Sequence, residues 1–414
     1  MKKYDYLVLF IAIKNNKEFK SILSNNFYTF NYLFKSFKNV NIVDINNLRF
    51  LHKKNNLDLK IVKDYFPNLN IKFFSLDKFI YLRKFLKHKK IVGIKHYKIG
   101  YSEIIIGLFF KFYDVRLLMI GNAGNDNHTY EGSKYKIKKI KNYLIRDLAH
   151  KLTVFLSMVG LVRKIDIRFI TNSNFLKFNK THIANKIAAF FNLPYSKKLI
   201  QINSRAHDIF LTSKLEIRND YITVLDEQLN DPQWAKFRSP FKRKDIKLHY
   251  KKFNLYLKKL SKILKKKIVI CIHPNDNLEE KKRLFKNFNV QKYKTREYIY
   301  KSYLVVFFES SAIIDAVLLN KNITTIQSKI MDKNQISAGL HYVKELNAPI
   351  STIDNIENLN LTKKFLMKNR IIKNLKEIKK DYKDYVKTYI CSDTNNILGI
   401  EKIKNTIKQV YRLD

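Results

Sequence analysis

The sequence predicts an α/β protein with two Rossmann-like domains and a helical carboxyl-terminal tail. The chain has 414 residues, 46% of them hydrophobic, and single cores stop growing near roughly 250–300 residues. Its first third alternates short apolar runs with polar, helix-like stretches. Its second half alternates strands and helices at the lengths of βαβ units, which is typical of a parallel sheet.

The first predicted domain, residues 1–195, contains strands that read as continuous apolar runs, as expected for parallel strands buried on both faces. The run Tyr6–Ile13 follows a basic start, but no small-residue cleavage site comes after it, so we interpret it as a first strand rather than a signal peptide. We place the crossing between domains within residues 175–220. The predicted strands are Tyr6–Ile13, Val40–Val43, Lys90–Val92, Val115–Ile120, Ile167–Thr171 and Leu199–Ile202.

Two further segments of this domain point to ligands. The Gly-rich loop 121–126 follows a predicted strand, the position at which open α/β sheets usually bind ligands. It lacks the GxGxxG spacing, so we interpret it as an acceptor-side loop of a cleft. Residues 135–165 alternate Lys and Arg with large apolar side chains. This pattern fits helices on an anionic membrane surface, but it fits an amphipathic helix pair packed on the sheet slightly better.

The second predicted domain, residues 215–345, has a clearer alternation. The helix at 242–266 carries an apolar stripe at Phe253, Leu257, Leu260 and Leu264, which is the spacing of one helical face. Residues 346–414 are predicted to be a basic helical tail that packs back across the domains. The strands predicted here are Tyr221–Leu225, Lys267–Ile272, Val290–Tyr293, Leu304–Phe308 and Ile323–Gln327, and further helices are predicted after 276, from Thr295 and at Ala312–Leu319.

Three strands of this second domain end in polar residues. Asp226-Glu227 follow one strand, His273-Pro274 follow the next, and Glu309-Ser310-Ser311 lie between a buried strand and a helix. The carboxyl ends of parallel strands share one edge of a sheet, where ligands bind. Hydroxyls and free N–H groups at a helix start bind anions, and an imidazole donates to a phosphate oxygen or protonates a leaving group. Each feature alone is also common as a plain cap or turn. We therefore rely on the occurrence of His-Pro and Ser-Ser together, which we expect on adjacent βα loops.

The pairing of a strand-terminal His-Pro with a later Ser-Ser at a helix start resembles bacterial sialyltransferases and polysialyltransferases of the GT-B fold. The stretch from Thr295-Arg296-Glu297 through residue 329 also resembles surface-carbohydrate biosynthesis proteins of that fold. The resemblance covers roughly residues 220–330. It implies two Rossmann-like domains that face a central cleft, with the nucleotide-sugar donor on the second domain.

The resemblance also implies roles for individual residues. His273, Ser310 and Ser311 would contact the donor phosphate, with Pro274 and Glu309 beside them. An acidic pair would supply the general base that deprotonates the acceptor hydroxyl, and its nearest match is Asp226-Glu227. The glycine expected after that pair is Gln228 here, so Asp126 or His128 of the first domain is the fallback base.

The resemblance implies the activity of a metal-independent, inverting glycosyltransferase without a cofactor. In this scheme side chains and helix starts neutralise the leaving phosphate, and no Asp-x-Asp stands at a strand end. The expected donor is a CMP- or UDP-linked sugar, such as a sialic-acid-like one. The expected acceptor is a capsule, lipopolysaccharide or other glycan or glycolipid.

The chain has 81 basic and 35 acidic residues, a formal net charge of +46. An anionic membrane or a nucleic acid would explain this excess, and so would the Lys- and Asn-rich usage of an AT-rich genome. The two cysteines, Cys271 and Cys391, lie far apart, which argues against a disulfide scaffold or zinc site. No apolar run of 18 residues occurs. We therefore expect a cytoplasmic protein, with peripheral contact to the inner membrane face as an open alternative.

Two other functions remain open at this stage. A sugar-nucleotide epimerase related to the GT-B transferases also places hydroxyl-bearing residues at a helix start. A basic nucleic-acid-binding protein would use the positive charge together with the 25 tyrosines and 30 phenylalanines to stack bases. The aromatic residues lie mostly within apolar runs, and no helix-turn-helix, zinc-finger or RNP-like motif occurs. The sequence therefore favours the enzymes over a nucleic-acid-binding protein.

Overall fold

The structure is a computed structural model, and its helices and strands alternate along most of the chain. It describes residues 3–13, 15–48, 60–96, 102–120, 152–153, 155–157, 159–171, 196–226, 243–274, 276–308, 310–331, 333–391 and 397–413. The strands are β1 Tyr6–Ile11, β2 Val40–Asp44, β3 Ile71–Ser75, β4 Ile91–His96, β5 Arg116–Ile120, β6 Ile165–Ile170, β7 Ser196–Gln201, β8 Tyr221–Leu225, β9 Lys267–Ile272, β10 Asn289–Lys292, β11 Ser302–Phe307, β12 Asn322–Gln327 and β13 Ile350–Thr352. The helices are α1 Asn16–Ser36, α2 Lys60–Tyr65, α3 Phe79–Leu86, α4 Ser102–Phe112, α5 Arg205–Thr212, α6 Arg243–Leu264, α7 Leu278–Leu284, α8 Thr295–Tyr300, α9 Ile313–Leu318, α10 Lys333–Leu346, α11 Lys363–Lys368, α12 Leu375–Tyr385 and α13 Gly399–Tyr411.

The chain divides into two compact units. The described residues up to Asp208 form the first unit together with those of Cys391–Asp414, and Ile209–Ile390 belong to the second. The chain therefore crosses to the second unit within α5 and returns just before Cys391. The segment 346–414, predicted as a single tail, is divided between the two units, because α11 and α12 belong to the second and α13 to the first.

The first unit contains a seven-stranded sheet in the order β3-β2-β1-β4-β5-β6-β7, and every pairing in it is parallel. Apart from its added last strand, this is the 3-2-1-4-5-6 order of the doubly wound fold. Along β1, Leu7, Leu9 and Ile11 pack with α1, α2 and α13 on one face. Val8 and Phe10 pack with α3 and α4 on the other. Burial on both faces is why this strand reads as an uninterrupted apolar run.

The carboxyl-terminal helix α13 belongs to the core of the first unit. Its Ile400, Ile403 and Ile407 are buried among residues of β1 and α1. The carboxylate of Asp208, in α5, accepts hydrogen bonds from the Gly399 N–H at 2.7 Å and the Ile400 N–H at 2.9 Å. An acidic side chain at this position satisfies the free N–H groups of a helix start. The end of the chain is thereby fixed to the unit with which the chain begins.

The second unit contains a six-stranded parallel sheet in the order β10-β9-β8-β11-β12-β13. This is again the doubly wound order 3-2-1-4-5-6, counted from β8. Phe253, Leu257 and Leu260 of α6 are fully buried against one face, and Leu264 is partly buried beside them. The predicted apolar stripe of this helix is therefore the surface that packs on the sheet.

The predicted fold class, two parallel α/β domains with a helical carboxyl terminus, is confirmed. All the predicted strands form, within a few residues of their expected ends. The prediction missed β3 and β13, which are edge strands with one neighbour each. Only Ser351 of β13, and no residue of β3, is buried, so neither strand carries the continuous apolar run that marks the interior strands. No helix in the described part of the chain is long and apolar enough to cross a membrane.

Candidate functional site

The candidate site lies at the carboxyl edge of the second sheet. Asp226 follows β8, His273 follows β9, and Ser310-Ser311 come three residues after β11. The strand order places β8 between β9 and β11. The loops that carry His273 and the serines therefore follow strands that are not adjacent, which corrects the expectation of adjacent loops. Strands β9 and β11 are two strand spacings apart, about 10 Å, and Asp226 follows the strand between them. The chain reverses its winding direction between β8 and β11, and ligands of doubly wound folds bind at such a switch point.

The turn that carries His273 is held by hydrogen bonds to its backbone carbonyl oxygens. The Asp276 N–H donates to the carbonyl oxygen of His273 at 2.9 Å, and the Lys292 ammonium donates to the carbonyl oxygen of Asp276 at 2.9 Å. The Tyr293 hydroxyl donates to the carbonyl oxygen of Pro274 at 3.4 Å. His273 and Pro274 are themselves exposed. The turn therefore holds an exposed imidazole on a fixed backbone.

Ser310 and Ser311 form the turn that leads into α9. The Ala312 N–H donates to the Ser310 hydroxyl at 3.3 Å, and the Ile313 and Ile314 N–H groups donate to the carbonyl oxygens of Ser310 and Ser311. Ser311 is exposed and Ser310 is half-buried. The helix begins at Ile313 and has six residues. Because it is so short, the hydroxyls, rather than a helix dipole, are the groups that this turn can offer to an anion.

Asp226 lies beneath this edge in a buried polar cluster. Its carboxylate contacts the ammonium of Lys281, and the Tyr250 hydroxyl lies 3.4 Å from both carboxylate oxygens. Lys281 also donates to the Tyr250 hydroxyl at 2.8 Å and lies 3.5 Å from the Asp276 carboxylate. Asp226 and Lys281 are 8% and 7% exposed. The carboxylate thus already has a buried cationic partner, and its role as general base stays a prediction.

The electrostatics of this cluster follow from its burial. Burial raises the pKa of Asp226, and the adjacent ammonium opposes that shift. Burial alone would lower the pKa of Lys281, but Asp226, Tyr250 and Asp276 together hold it above its ordinary value. Lys281 therefore stays protonated at neutral pH. Because it contacts both Asp226 and Asp276, it connects the end of β8 to the turn that carries His273.

His249, on α6, is a buried imidazole next to this cluster. It is 1% exposed, and neither of its ring nitrogens has a hydrogen-bond partner among the described residues. Its ring packs against Tyr250, Phe253 and Phe308. Burial, assisted by the charge of Lys281, lowers the pKa of His249 to about 4. The imidazole is neutral at physiological pH and packs as an aromatic side chain.

Sequence reasoning missed Lys281, Tyr250 and His249. Lys281 stands in a run of basic residues that reads as a solvated helix face, and the two aromatic residues stand within the ordinary amphipathic pattern of α6. Arg296, in the stretch that carries the resemblance, donates to the Asp315 carboxylate at 3.0 Å and so ties α8 to α9. Only the packing of α6 and α7 on the sheet reveals the cluster, because no local sequence signal marks it.

The carboxyl edge of the first sheet also carries buried polar side chains. Asp44, at the end of β2, accepts hydrogen bonds from the Ile13 and Asn46 N–H groups. Lys95, in β4, forms a buried ion pair with Glu103 in α4. His96 ends β4, is half-buried, and has a pKa lowered by burial. Neutral and charged polar groups therefore collect near the switch point between β1 and β4.

Several predicted site residues lie outside the described residues. These are Glu227, Glu309 and the fallback bases Asp126 and His128, together with the whole of the loop 121–126. Most of the basic segment 135–165 also lies outside them. Within the described part of the chain, no three His, Cys, Asp or Glu side chains are grouped to hold a metal ion. Independence of metals and cofactors stays a prediction.

Comparison with known proteins gives structural likenesses only. No protein-family model matches the sequence, and no curated protein matches it. The wall teichoic acid polymerase TagF aligns with 98% of this chain and 89% of its own, at 14% identity and a TM-score of 0.47. UDP-GlcNAc 2-epimerase from Methanocaldococcus jannaschii aligns with 98% and 99%, at 10% identity and 0.44. HepE from Anabaena, in complex with UDP, aligns over the full length of both chains, at 9% identity and 0.44. The architecture described above rests on the two sheets themselves.

Proposed function

We propose that this protein is a glycosyltransferase of the GT-B type that transfers a sugar from a nucleotide-activated donor to a glycan or glycolipid acceptor. The observation that carries the proposal is the switch point of the second sheet. Ser310-Ser311 lie on one side of it and Asp226 on the other, with His273 one strand further. Two hydroxyls and an imidazole near the switch point suit the diphosphate or phosphate of a nucleotide sugar.

In the proposed reaction the side chains of this edge act on the leaving group. His273 and the serine hydroxyls donate hydrogen bonds to the donor phosphate, and these bonds strengthen as negative charge develops during departure. A base deprotonates the acceptor hydroxyl, which attacks the anomeric carbon in line and inverts it. Asp226 is the base predicted from the resemblance. Because it is buried against Lys281, a second use is to fix the carboxyl end of β8 against α7.

The donor and acceptor are the finer parts of the proposal. A CMP- or UDP-linked, sialic-acid-like sugar and a capsule or lipopolysaccharide acceptor follow from the sequence resemblance alone. The epimerase alternative would bind its sugar nucleotide at the same carboxyl edge of the second sheet, which we call the donor edge, and it differs in needing no acceptor. The two functions are therefore distinguished by the products that they form and not by the position of the site.

Product analysis tests the proposal directly. The protein is incubated with CMP-, UDP-, GDP- and CDP-linked sugars, with and without oligosaccharides from capsule or lipopolysaccharide. We expect nucleotide release from one donor class that depends on the acceptor, together with an extended glycan. An epimerised sugar nucleotide formed without any acceptor would contradict the transferase and support the epimerase. The double variant Ser310→Ala/Ser311→Ala is the negative control for either activity.

A further inference from the structure

One surface of the first unit exposes large apolar side chains on three neighbouring elements. They come from α3, from α4 and from the segment 152–162, and Phe112 is 81% exposed. Soluble proteins scatter single exposed apolar residues, but a concentrated group of them marks a surface of interaction. The exposed side chains are Ile80, Tyr81, Leu108, Phe112, Leu152, Phe155, Val159 and Leu161, and we call this surface the apolar–basic face.

Contacts between the three elements show that the face is continuous. Phe79 of α3 stacks on Phe109 of α4, with ring centroids 6.0 Å apart. The Arg163 N–H donates to the Gly107 carbonyl oxygen of α4 at 3.0 Å. A Cβ atom on Gly107 would lie 3.0 Å from the Cβ of Val162. The segment therefore packs directly on α4, and α4 packs directly on α3.

The apolar tip of the segment 152–162 is held by a defined turn. The Leu161 N–H donates to the Leu156 carbonyl oxygen at 2.8 Å, and the Gly160 N–H donates to that of Ser157 at 3.2 Å. Gly160 has a φ of 78°. This is the Schellman arrangement that ends a helix, with glycine in the left-handed conformation. Val159 and Leu161 are thus exposed by a hydrogen-bonded turn.

The charges on this face are almost all positive. Exposed cations border the apolar side chains on α3 and α4, at Arg83, Lys84, Lys87 and Lys111. Across 78–87, 102–113 and 152–164 the sequence contains one acidic residue, Glu103. That residue is buried in its ion pair with Lys95. Asp114, two residues after Phe112, has a side chain that is 40% exposed, and it is paired with Arg116 and Arg163. The face therefore presents apolar side chains together with an excess of cations, and the carboxylate at its border is neutralised by two arginines.

We propose that the apolar–basic face docks on the surface of an anionic phospholipid bilayer. Apolar side chains enter the boundary between headgroups and acyl chains, and cations bind the acidic headgroups around them. A protein partner of ordinary composition would leave this uniform positive charge without counterions. A nucleic acid would pair with the cations but would leave Phe112 and Leu161 in water. The bilayer is the occupant that satisfies both chemistries.

Vesicle co-sedimentation of the full chain tests this proposal. The protein is mixed with vesicles of phosphatidylcholine alone, or of phosphatidylcholine with phosphatidylglycerol, at low and high salt. We expect sedimentation with the anionic vesicles only, and loss of binding as salt rises. The variant Phe112→Ser/Phe155→Ser lowers partitioning by about tenfold or more. The variant Arg83→Gln/Lys84→Gln/Lys87→Gln lowers it by about fivefold for each charge removed.

Matched variants elsewhere on the chain distinguish binding through this face from nonspecific hydrophobic adsorption and from the effect of net charge. Ile217→Ser/Met367→Ser removes apolar side chains that are 60% and 58% exposed in the second unit. Lys363→Gln/Lys364→Gln/Lys368→Gln removes three exposed charges of α11. Both controls bind like the wild type. Equal losses in the controls, or equal binding to neutral vesicles, would overturn the proposal.

Two other outcomes would also overturn it. One is a dimer in the absence of vesicles that Phe112→Ser abolishes, and the other is DNA binding that survives near-physiological salt and is lost in the same variants. Far-ultraviolet circular dichroism of each variant confirms that it is folded. The assay needs no nucleotide and no turnover, so its result is independent of the proposed transferase activity.

Discussion

Lys281 shows how one side chain organises the candidate site. Its ammonium is buried and contacts the carboxylates of Asp226 and Asp276 and the hydroxyl of Tyr250. A buried ion pair adds little net stability compared with an apolar pair, but removal of one partner leaves the other charge unpaired in the interior. The cluster therefore makes the position of the His273 turn depend on a residue that does not reach the surface.

We predict that Lys281→Met destabilises the protein by about 3–5 kcal/mol, the usual cost of breaking a buried pair. Urea unfolding followed by tryptophan and tyrosine fluorescence measures the change. Lys282→Met is the matched control, because its partner Glu279 is at the surface, and it leaves the unfolding midpoint unchanged. Adding Asp226→Asn to Lys281→Met recovers part of the loss. Similar losses for Lys281→Met and Lys282→Met would contradict this account.

At the level of residues, the sequence could predict side chains that follow a strand directly, because a strand end is recognisable. His273 and Asp226 are of this kind. It could not predict that Asp226 is paired with a lysine 55 residues later, since that contact depends on how α7 packs. The alternative interpretation of Ser310-Ser311, a plain serine cap of α9, does not hold, because the N-cap is Ala312, and it makes no side-chain cap hydrogen bond.

Among the elements, α13 depends most clearly on a close contact that only glycine permits. Gly399 begins this helix against the backbone of Asn203, and a Cβ atom added there would lie 2.1 Å from the Asn203 carbonyl oxygen. No flexible side chain can move to relieve that overlap. The same helix start is fixed by Asp208 through two N–H groups. The docking of α13 is thus specified at one end by close backbone approach.

We predict that Gly399→Ala destabilises the first unit by about 1–3 kcal/mol or more, since overpacking at a rigid contact displaces the helix. Thermal unfolding followed by circular dichroism measures it as a lower midpoint. Gln409→Ala, an exposed position on the same helix, serves as the control and changes the midpoint little. If the two variants melt together, the close contact at Gly399 is not important for stability.

The interior strands were predictable as elements because burial on both faces forces a continuous apolar run, as in β1 and β9. Partial exposure weakens that signal in the four edge strands, of which β3 and β13 were missed and β7 and β10 were predicted. The strand order was also beyond the sequence, and it corrects the expected adjacency of the His273 and Ser310-Ser311 loops. The strand order, rather than any motif, places the serines at the switch point of the sheet.

On the scale of the whole molecule, the two units repeat one strand order. Each sheet has its switch point between its first and fourth strands, β1 and β4 in one unit and β8 and β11 in the other. Polar side chains collect at the carboxyl edge of both sheets. The apolar–basic face lies on helices of the first unit, and the proposed donor edge lies in the second. In the two proposals, nucleotide binding therefore belongs to the second unit and membrane docking to the first.

Nucleotide binding to the second unit is the central claim, and calorimetric titration of CMP, UDP, GDP and CDP tests it most directly. We predict that the wild type binds at least one of them. His273→Ala and Ser310→Ala/Ser311→Ala each weaken that binding by about tenfold or more, the effect of losing hydrogen bonds to a charged phosphate. His88→Ala, an exposed histidine of the first unit, leaves the affinity unchanged. Wild-type affinity in both site variants, or no binding of any of the four nucleotides, would contradict the account.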